Sequence, residues 1–585
     1  MHLRQAMKDK GLEAYIIPSS DPHQSEYPAD RWKGRQWVSG FTGSAGTVVV
    51  TAESAGLWTD SRYFLQAEAQ LADTGIELFR QGEPSTPSIA TFLREELTEG
   101  DTVGFDGNCF STAEAERLAS DLKGYLLNGK FDLFEIIWTD RPSIPTLPLF
   151  EMPETLSGAS ASEKIDRTRI SLAQSNADSF LITALDEVAW VFNLRGTDVS
   201  CNPVGIAYGF VSPTEAVLFV DAVKVTDKVR EHLTREDIVV RPYELVAEYI
   251  AALPSDARLF VDAAKMNTAL TAAISAEVAI VRGLSPIALM KSCKNETEQA
   301  GFRTAHLKDG VAMTRFFRWL EQQMESGNRV TEMSASAQLT AFRAEQADYI
   351  MDSFDTICGY AGHGAIVHYK ATQETDAELC SESMLLIDSG AQYADGTTDI
   401  TRTIALGEPT DAMRKDFTRV LKGMITLSKS KFPVGTRGSQ LDILARKALW
   451  DAGLNYFHGT GHGVGHCLNV HEGPQSIRMD ENPVALEVGM VISNEPALYR
   501  TAEYGIRTEN LILVREDSKT EFGTFLSFET LTRCFIDTRL VITEMLSARE
   551  LAWLNRYHEQ VYDDLSPLLS PDEAAWLRER TREIN

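Results

Sequence analysis

Cysteine is scarce in this chain: seven residues, odd in number and scattered from Cys109 to Cys534, form no disulfide framework and favour a reducing cytoplasm. Long apolar runs free of charge are missing too, so no segment reads as a membrane span although 43% of the residues are hydrophobic. Met1 to Glu13 is charged and amphipathic and lacks the apolar core of a signal peptide. Positive charge is outnumbered, 56 basic against 84 acidic residues, and a formal net charge of −28 argues against nucleic acid as a partner. A phosphate loop is also absent, since the glycines from Gly461 to Gly465 lack the preceding strand and following helix that such a loop needs. What remains is a protein of 585 residues, long enough for more than one domain.

Its patterning is that of α/β modules. Leu3 to Lys10 predicts a helix, Ala14 to Ile17 a short buried strand stopped by Pro18, and Trp37 to Gly46 leads into a strand around Thr47 to Thr51 and then Leu57 to Asp60. The same grammar returns from Ile165, with a strand at Ser179 to Ile182, then Trp190 to Arg195, then a strand at Val217 to Val220 ending in Asp221. These read as two copies of one module. Pro142, Pro145, Pro148 and Pro153 form a linker, with small residues from Ser157 to Ser162 behind it, and Gly283 to Pro286 marks a second boundary. The expected domains are 1–152, 153–287 and 288–585. The third opens on a helix capped by Asn295 with Glu298 in capping-box position and with Phe302, Val311, Phe316 and Leu320 on its apolar face. It ends on two more capped helices, after Ser547 with Glu550 and after Ser570, Pro571 and Glu573, whose Leu551, Leu554, Val561 and Trp576 need a surface to pack on.

The chemistry concentrates between Ser383 and Asn510. An apolar strand, Met384 to Ile387, delivers Asp388, and a second extended piece carries Asp399 eleven positions later. A glycine-rich loop then presents His458, His462 and His466. Gly489 to Ser493 makes another apolar strand, leading to Glu495, and Gly505 to Val514 carries Glu509. The second half repeats the first: a buried strand ending in an acid, then a strand that begins with one. Two such pairs related by a pseudo-twofold bring four carboxylates to one place, where they repel unless cations sit between them. Four carboxylates and an imidazole suit manganese, cobalt or zinc rather than a thiolate site.

The stretches Ile387 to Gly390, Thr398 to Arg402, His458 to Pro474 with its Asn469, Val470, His471, Glu472 and Gly473, Asn494 to Pro496, and Ile506 to Asn510 resemble the pita-bread metallopeptidases. Within that family the chain is similar to the large three-domain aminopeptidase P type, the X-Pro aminopeptidases. The resemblance implies a fold of two creatinase-N-like α/β modules followed by a C-terminal pita-bread catalytic domain. It also implies two divalent ions, manganese first and zinc or cobalt as alternatives, held by Asp388, Asp399, His462, Glu495 and Glu509, with Asp399 and Glu509 bridging. The implied activity is hydrolysis of the bond between an N-terminal residue and a following proline, by a cytoplasmic homodimer acting on peptides with proline in second position. His368, His458 and His471 match the histidines that line the substrate cleft; His368 is expected to stabilise the oxyanion and Glu495 to take a proton. Tyr499 and Arg507 surround the proline side or brace the ligands.

Arg507 lies two positions before Glu509, which predicts one strand face and a guanidinium fixed on that carboxylate. Trp58 to Tyr63 resembles the stretch whose arginine, here Arg62, reaches over the catalytic cleft, although Ser61 stands where a glycine is common. His363 and His466 match no role and are expected to be structural or exposed. Two other readings stand beside the aminopeptidase. A prolidase would share every ligand but act on X-Pro dipeptides only, and the doubled N-terminal modules argue against it. A metal-free peptide- or histone-binding module is disfavoured by five intact ligand positions.

Overall fold

The computed structural model describes residues 2–585. The chain divides into two compact units, Met1–Ser200 with Val204–Ala288, and Cys201–Pro203 with Leu289–Asn585.

The first unit contains the same sheet twice. In one, β1 (Ala14–Ile17), β2 (Thr47–Thr51), β3 (Ala55–Thr59), β4 (Glu77–Arg80), β5 (Thr102–Phe105) and β6 (Leu126–Asn128) are ordered β4-β3-β2-β1-β5-β6. In the other, β7 (Ser179–Ile182), β8 (Ala207–Val211), β9 (Ala216–Val220), β10 (Ile238–Arg241), β11 (Arg258–Val261) and β12 (Ala279–Arg282) are ordered β10-β9-β8-β7-β11-β12. Each has an antiparallel meander of three strands at its middle and parallel strands outside it. Parallel neighbours need a crossover, and helices such as Ile89–Glu96 and Thr112–Asp121 provide it, covering the faces. Alternation along β1 shows why both faces are apolar: Tyr15 and Ile17 enter one core with Val48 and Val50, while Ala14 and Ile16 enter another with Val49 and Trp58.

The second unit opens on the helix Glu296–Glu325, whose capping box between Asn295 and Glu298 forms and whose Phe302, Val311, Phe316 and Leu320 are buried, as the spacing predicts. Both C-terminal helices, Ala548–Leu565 and Pro571–Arg580, carry the expected capping boxes. They cover the same large core as Met384, Leu385 and Ile404 through Leu554 and Val561, with Trp576 packed at its edge. The two acid-bearing strand pairs are present. β13 (Met384–Ser389) runs antiparallel to β14 (Ile400–Ala405) with Asp388 opposite Thr401, and β15 (Val491–Asn494) runs antiparallel to β16 (Asn510–Thr520) with Asn494 opposite Asn510.

Two local expectations are corrected. The glycine-rich histidine segment is not all loop: Gly461–Gly463 is a short strand paired with Glu472–Ile477 and with β15, and His462 is its central residue. Glycine is needed there because a Cβ at Gly461 would lie 2.0 Å from the Ser493 carbonyl oxygen, so backbone proximity rather than flexibility selects it. The piece from Gly505 to Val514 is not one strand either. Tyr504–Arg507 pairs with Ala497–Arg500 while β16 pairs with β15, and the change of partner falls at Thr508 and Glu509.

Candidate metal centre

Each acid lies where a strand starts or stops: Asp388 near the end of β13, Asp399 just before β14, Glu495 just after β15, Glu509 just before β16. Such positions free the side chain from the sheet ladder while the buried strand fixes its origin. His462 approaches from the third strand, its Nε2 at 3.5 Å from Asp399 Oδ2 and 3.5 Å from Glu495 Oε1. One ligand atom each of Asp399, His462 and Glu509 lies within 4.8 Å of the others, spacing that a shared cation spans. His462 Nδ1 is 2.9 Å from the Gly463 carbonyl oxygen, which can only accept. Nδ1 therefore carries a proton, and Nε2 is the ring nitrogen that faces the acids and would meet a cation.

The electrostatics call for cations. Asp388, Asp399 and Glu509 are buried. Burial, joined by the charges of Asp399 and the other acids, raises Glu509 well above the carboxylate range, and burial raises Asp388 against the pull of Arg507. Burial likewise pushes Glu495 up to about 7. On His462 burial works downward, but the Asp399 hydrogen bond and the Glu495 and Asp399 charges outweigh it and lift the ring to about 9. Asp388 Oδ1 is buried with no hydrogen-bond donor, an orphan that a protein seldom tolerates. A cage of acceptors with an unmatched buried oxygen fits divalent, oxygen- and imidazole-seeking ions.

Around the cage runs a chain of donors. Arg507 Nη2 donates to Asp388 Oδ2 at 2.6 Å and Nη1 to the Tyr499 hydroxyl at 2.6 Å. Tyr499 in turn lies 2.9 Å from His458 Nε2, while His458 Nδ1 donates to the Gly459 carbonyl at 2.8 Å. Since Nδ1 holds the proton, Tyr499 donates to Nε2, and the order from guanidinium to phenol to imidazole is fixed. Arg507 reaches Glu509 only indirectly: its Nη2 goes to Asp388, while its Nε donates at 3.1 Å to the Thr401 hydroxyl, because Arg507 ends one strand and Glu509 follows its break. What touches Glu509 is Thr401, whose hydroxyl donates to Oε2 at 2.7 Å. His471 packs edge-on to His462 with ring centroids 4.4 Å apart. His368 follows Val367, whose carbonyl is 3.5 Å from Arg507 Nη2.

Several supporting residues escaped the sequence reading. Asp442 and Arg446, buried on the helix Gly438–Trp450, form an ion pair at 2.6 Å. Arg446 donates to the carbonyls of Tyr456 and His458, and Asp442 accepts from Thr460, whose own carbonyl receives the Glu495 backbone N–H. Removing one partner of such a buried pair costs about 3–5 kcal/mol. Their i, i+4 spacing was visible in the sequence, but the same spacing marks countless surface pairs. Arg62 is not among the side chains gathered in the second unit. It lies in the first, just after β3, its Nε and Nη2 donating to the two oxygens of Asp60 at 2.8 Å each. His466 is buried against Phe302, with ring centroids 5.6 Å apart, in keeping with a structural role.

Fold and cage define the class, a metal-dependent peptidase. Residues 300–516 match the description "Metallopeptidase family M24", 524–584 its C-terminal region, and 1–131 and 140–298 each a Creatinase/Prolidase N-terminal domain. The chain is 42% identical to a protein of Laccaria bicolor called "Probable Xaa-Pro aminopeptidase P", over 98% of this chain and 92% of that one. It is 40% identical to "Xaa-Pro aminopeptidase ApepP" of Drosophila melanogaster, over 98% and 96%. A crystal structure of X-prolyl aminopeptidase from Caenorhabditis elegans, described as a cytosolic enzyme with a di-nuclear active site, superposes with a TM-score of 0.94 at 36% identity, covering 98% of this chain and 95% of that one. The chain therefore belongs to the aminopeptidase P group of metallopeptidase family M24.

Proposed function

We infer that this protein is an Xaa-Pro aminopeptidase, releasing an N-terminal residue that precedes proline. The observation that carries the reading is similarity of about 40% identity over nearly the whole chain to proteins of that name, N-terminal modules included. We propose Asp388, Asp399, His462, Glu495 and Glu509 as the ligands of two divalent ions, manganese first, with Asp399 and Glu509 shared between them. When bound, the ions lower the pKa of a water molecule and polarise the scissile carbonyl.

The chain's own residues then do the following. Glu495, half-buried and facing His462, takes the proton that water gives up. His368 donates to the oxygen of the tetrahedral intermediate, a contribution of about 3 kcal/mol for a preorganised donor. His458 and His471 line the cleft, while Arg507 and Tyr499 hold Asp388 and the His458 tautomer. Because proline has no N–H, a peptidase that grips its substrate as a β-strand through that group cannot use it, and a dedicated pocket is required. Arg62, its guanidinium already oriented by Asp60, is proposed to donate to a substrate carbonyl and to favour longer peptides. Three domains at 1–152, 153–287 and 288–585, a homodimer and a cytoplasmic location complete the proposal. The duplicated sheets support the first, and the exposed Ile443, Trp450 and Phe457 offer apolar surface for the second. The third follows the Caenorhabditis elegans enzyme, which is described as cytosolic.

Turnover of an Xaa-Pro-Xaa tripeptide against Xaa-Ala-Xaa and an Xaa-Pro dipeptide tests the activity. The proline tripeptide is expected to be cut far faster than the alanine one. Cleavage of the dipeptide alone would contradict it.

A further inference from the structure

Glu332 is a fully buried carboxylate that no step above uses. It begins the helix Glu332–Ala344, capped by Thr331, and its two oxygens accept hydrogen bonds from four donors on one stretch of chain. Oε1 accepts from the Tyr360 backbone N–H at 2.8 Å and from His363 Nδ1 at 2.9 Å; Oε2 accepts from the Tyr369 hydroxyl at 2.8 Å and the Ala377 backbone N–H at 3.1 Å. His363 also stacks on Tyr369, ring centroids 4.5 Å apart. The histidine that the sequence left without a role is thus clamped between an acid and a phenol.

The stretch so held is the one that carries His368. On one side of it Tyr369 is tied to Glu332, and on the other the Val367 carbonyl faces Arg507 Nη2 at 3.5 Å. The turn Ala361–Ala365 is pressed onto the strand Tyr504–Arg507, where a Cβ on Gly505 would lie 1.6 Å from the Gly364 carbonyl oxygen. Both flanks of His368 are therefore fixed one residue away, about 3.8 Å from Cα to Cα. Charge-assisted bonds to a carboxylate are short and directional, and a catalytic donor must be held to within about 0.5 Å by groups whose own positions are locked.

We infer that Glu332 is the positioning residue for His368, acting through the Tyr369 hydroxyl and the His363 ring. The inference rests on the reading of His368 as the donor to the oxyanion. Glu332→Gln keeps the shape but turns an acceptor into an amide facing four donors, so His368 shifts while the ions and the rest of the cleft stay in place. A misplacement of about 1 Å costs on the order of 100-fold in rate.

The test is a double-mutant cycle on the metal-loaded enzyme. Glu332→Gln and Tyr369→Phe are each made in the wild type and in a His368→Ala background, with kcat, KM, bound metal and thermal unfolding read on the same preparations. Glu332→Gln is expected to lower kcat roughly 10- to 100-fold with KM and metal content unchanged, and to cost almost nothing more once His368 is gone. Tyr369→Phe, which removes one hydroxyl and leaves the fold intact, is expected to act in the same sense by a smaller factor, and it carries the test if Glu332→Gln does not fold. The same loss in both backgrounds, or a loss confined to KM, metal or melting temperature, overturns the inference. An unchanged kcat in His368→Ala alone would instead remove the role of His368, and the inference with it.

Discussion

The two strand pairs that form the cage carry their acids alike but surround them differently. Asp388, on the first pair, faces a guanidinium, Arg507, at 2.6 Å; Glu495 and Glu509, on the second, face hydroxyls, from Ser493 at 3.2 Å and Thr401 at 2.7 Å. The guanidinium comes from Tyr504–Arg507, the strand just before β16, and the Thr401 hydroxyl from β14. The surroundings of each pair are thus completed from outside it. A pseudo-twofold arrangement supplies four acids, and their partners tell them apart: Asp388 is held by a guanidinium, Glu495 and Glu509 by hydroxyls.

The largest break in this comparison removes an acid from either centre. Asp399→Asn and Glu509→Gln should both abolish turnover and lower metal content, while circular dichroism shows the fold retained. Equal loss from opposite halves is what a shared centre demands. Next, His368→Ala should cut kcat by roughly 100-fold or more with metal and KM nearly intact, as for loss of a transition-state donor. An unchanged kcat would assign His368 to packing. The comparison itself is sharpened by Arg507→Lys, which keeps the charge but loses the fork that reaches Asp388 and Tyr499 together. Losing a group that orients a metal ligand costs about 10- to 100-fold in activity or metal affinity. Titration with Mn2+ should show one of the two binding steps weakened more than the other, and two equally weakened steps would mean that the halves are not distinguished by their partners. A smaller effect is expected at Arg62→Ala, with steady-state kinetics on X-Pro peptides of increasing length showing loss for tripeptides and longer substrates and metal content untouched.

The smallest effect lies away from the cage. His558 is fully buried, burial lowers its ring from the ordinary 6.5 to about 3, and its Nε2 accepts the Ile536 backbone N–H at 3.0 Å. Below pH about 6.5 the unfolded chain takes up a proton that the folded ring refuses, so stability falls with pH down to the folded value. His558→Gln, which keeps an acceptor but cannot be protonated, should narrow the difference in melting temperature between pH 7 and pH 5. An undiminished difference would place the acid sensitivity elsewhere.

Much of this was legible in the chain because strand-terminal acids are written locally. The strands around Asp388 and Glu495 are apolar runs whose ends can be read off, and the capping boxes at Asn295, Ser547 and Ser570 are four-residue signals. The duplicated modules were legible for the same reason, since β1 and β7 are each a short, fully buried strand at the same place in its sheet. What sequence could not give was which residue answers which across long separations. Arg507 was expected on its near neighbour Glu509, yet it crosses 119 positions to Asp388, because Tyr504–Arg507 and β16 pair with different strands. Glu332, Asp442 and Arg446 sit on helices, where an acid or a base is ordinary until the fold shows it buried.

Four acids from the two strand pairs, with His462, are proposed to hold two divalent ions. Elemental analysis of the purified protein after equilibration with Mn2+ and removal of free metal tests it most directly. Two ions per chain are expected, falling in Asp399→Asn. One ion or none in the wild type, or two retained in Asp399→Asn, would contradict it.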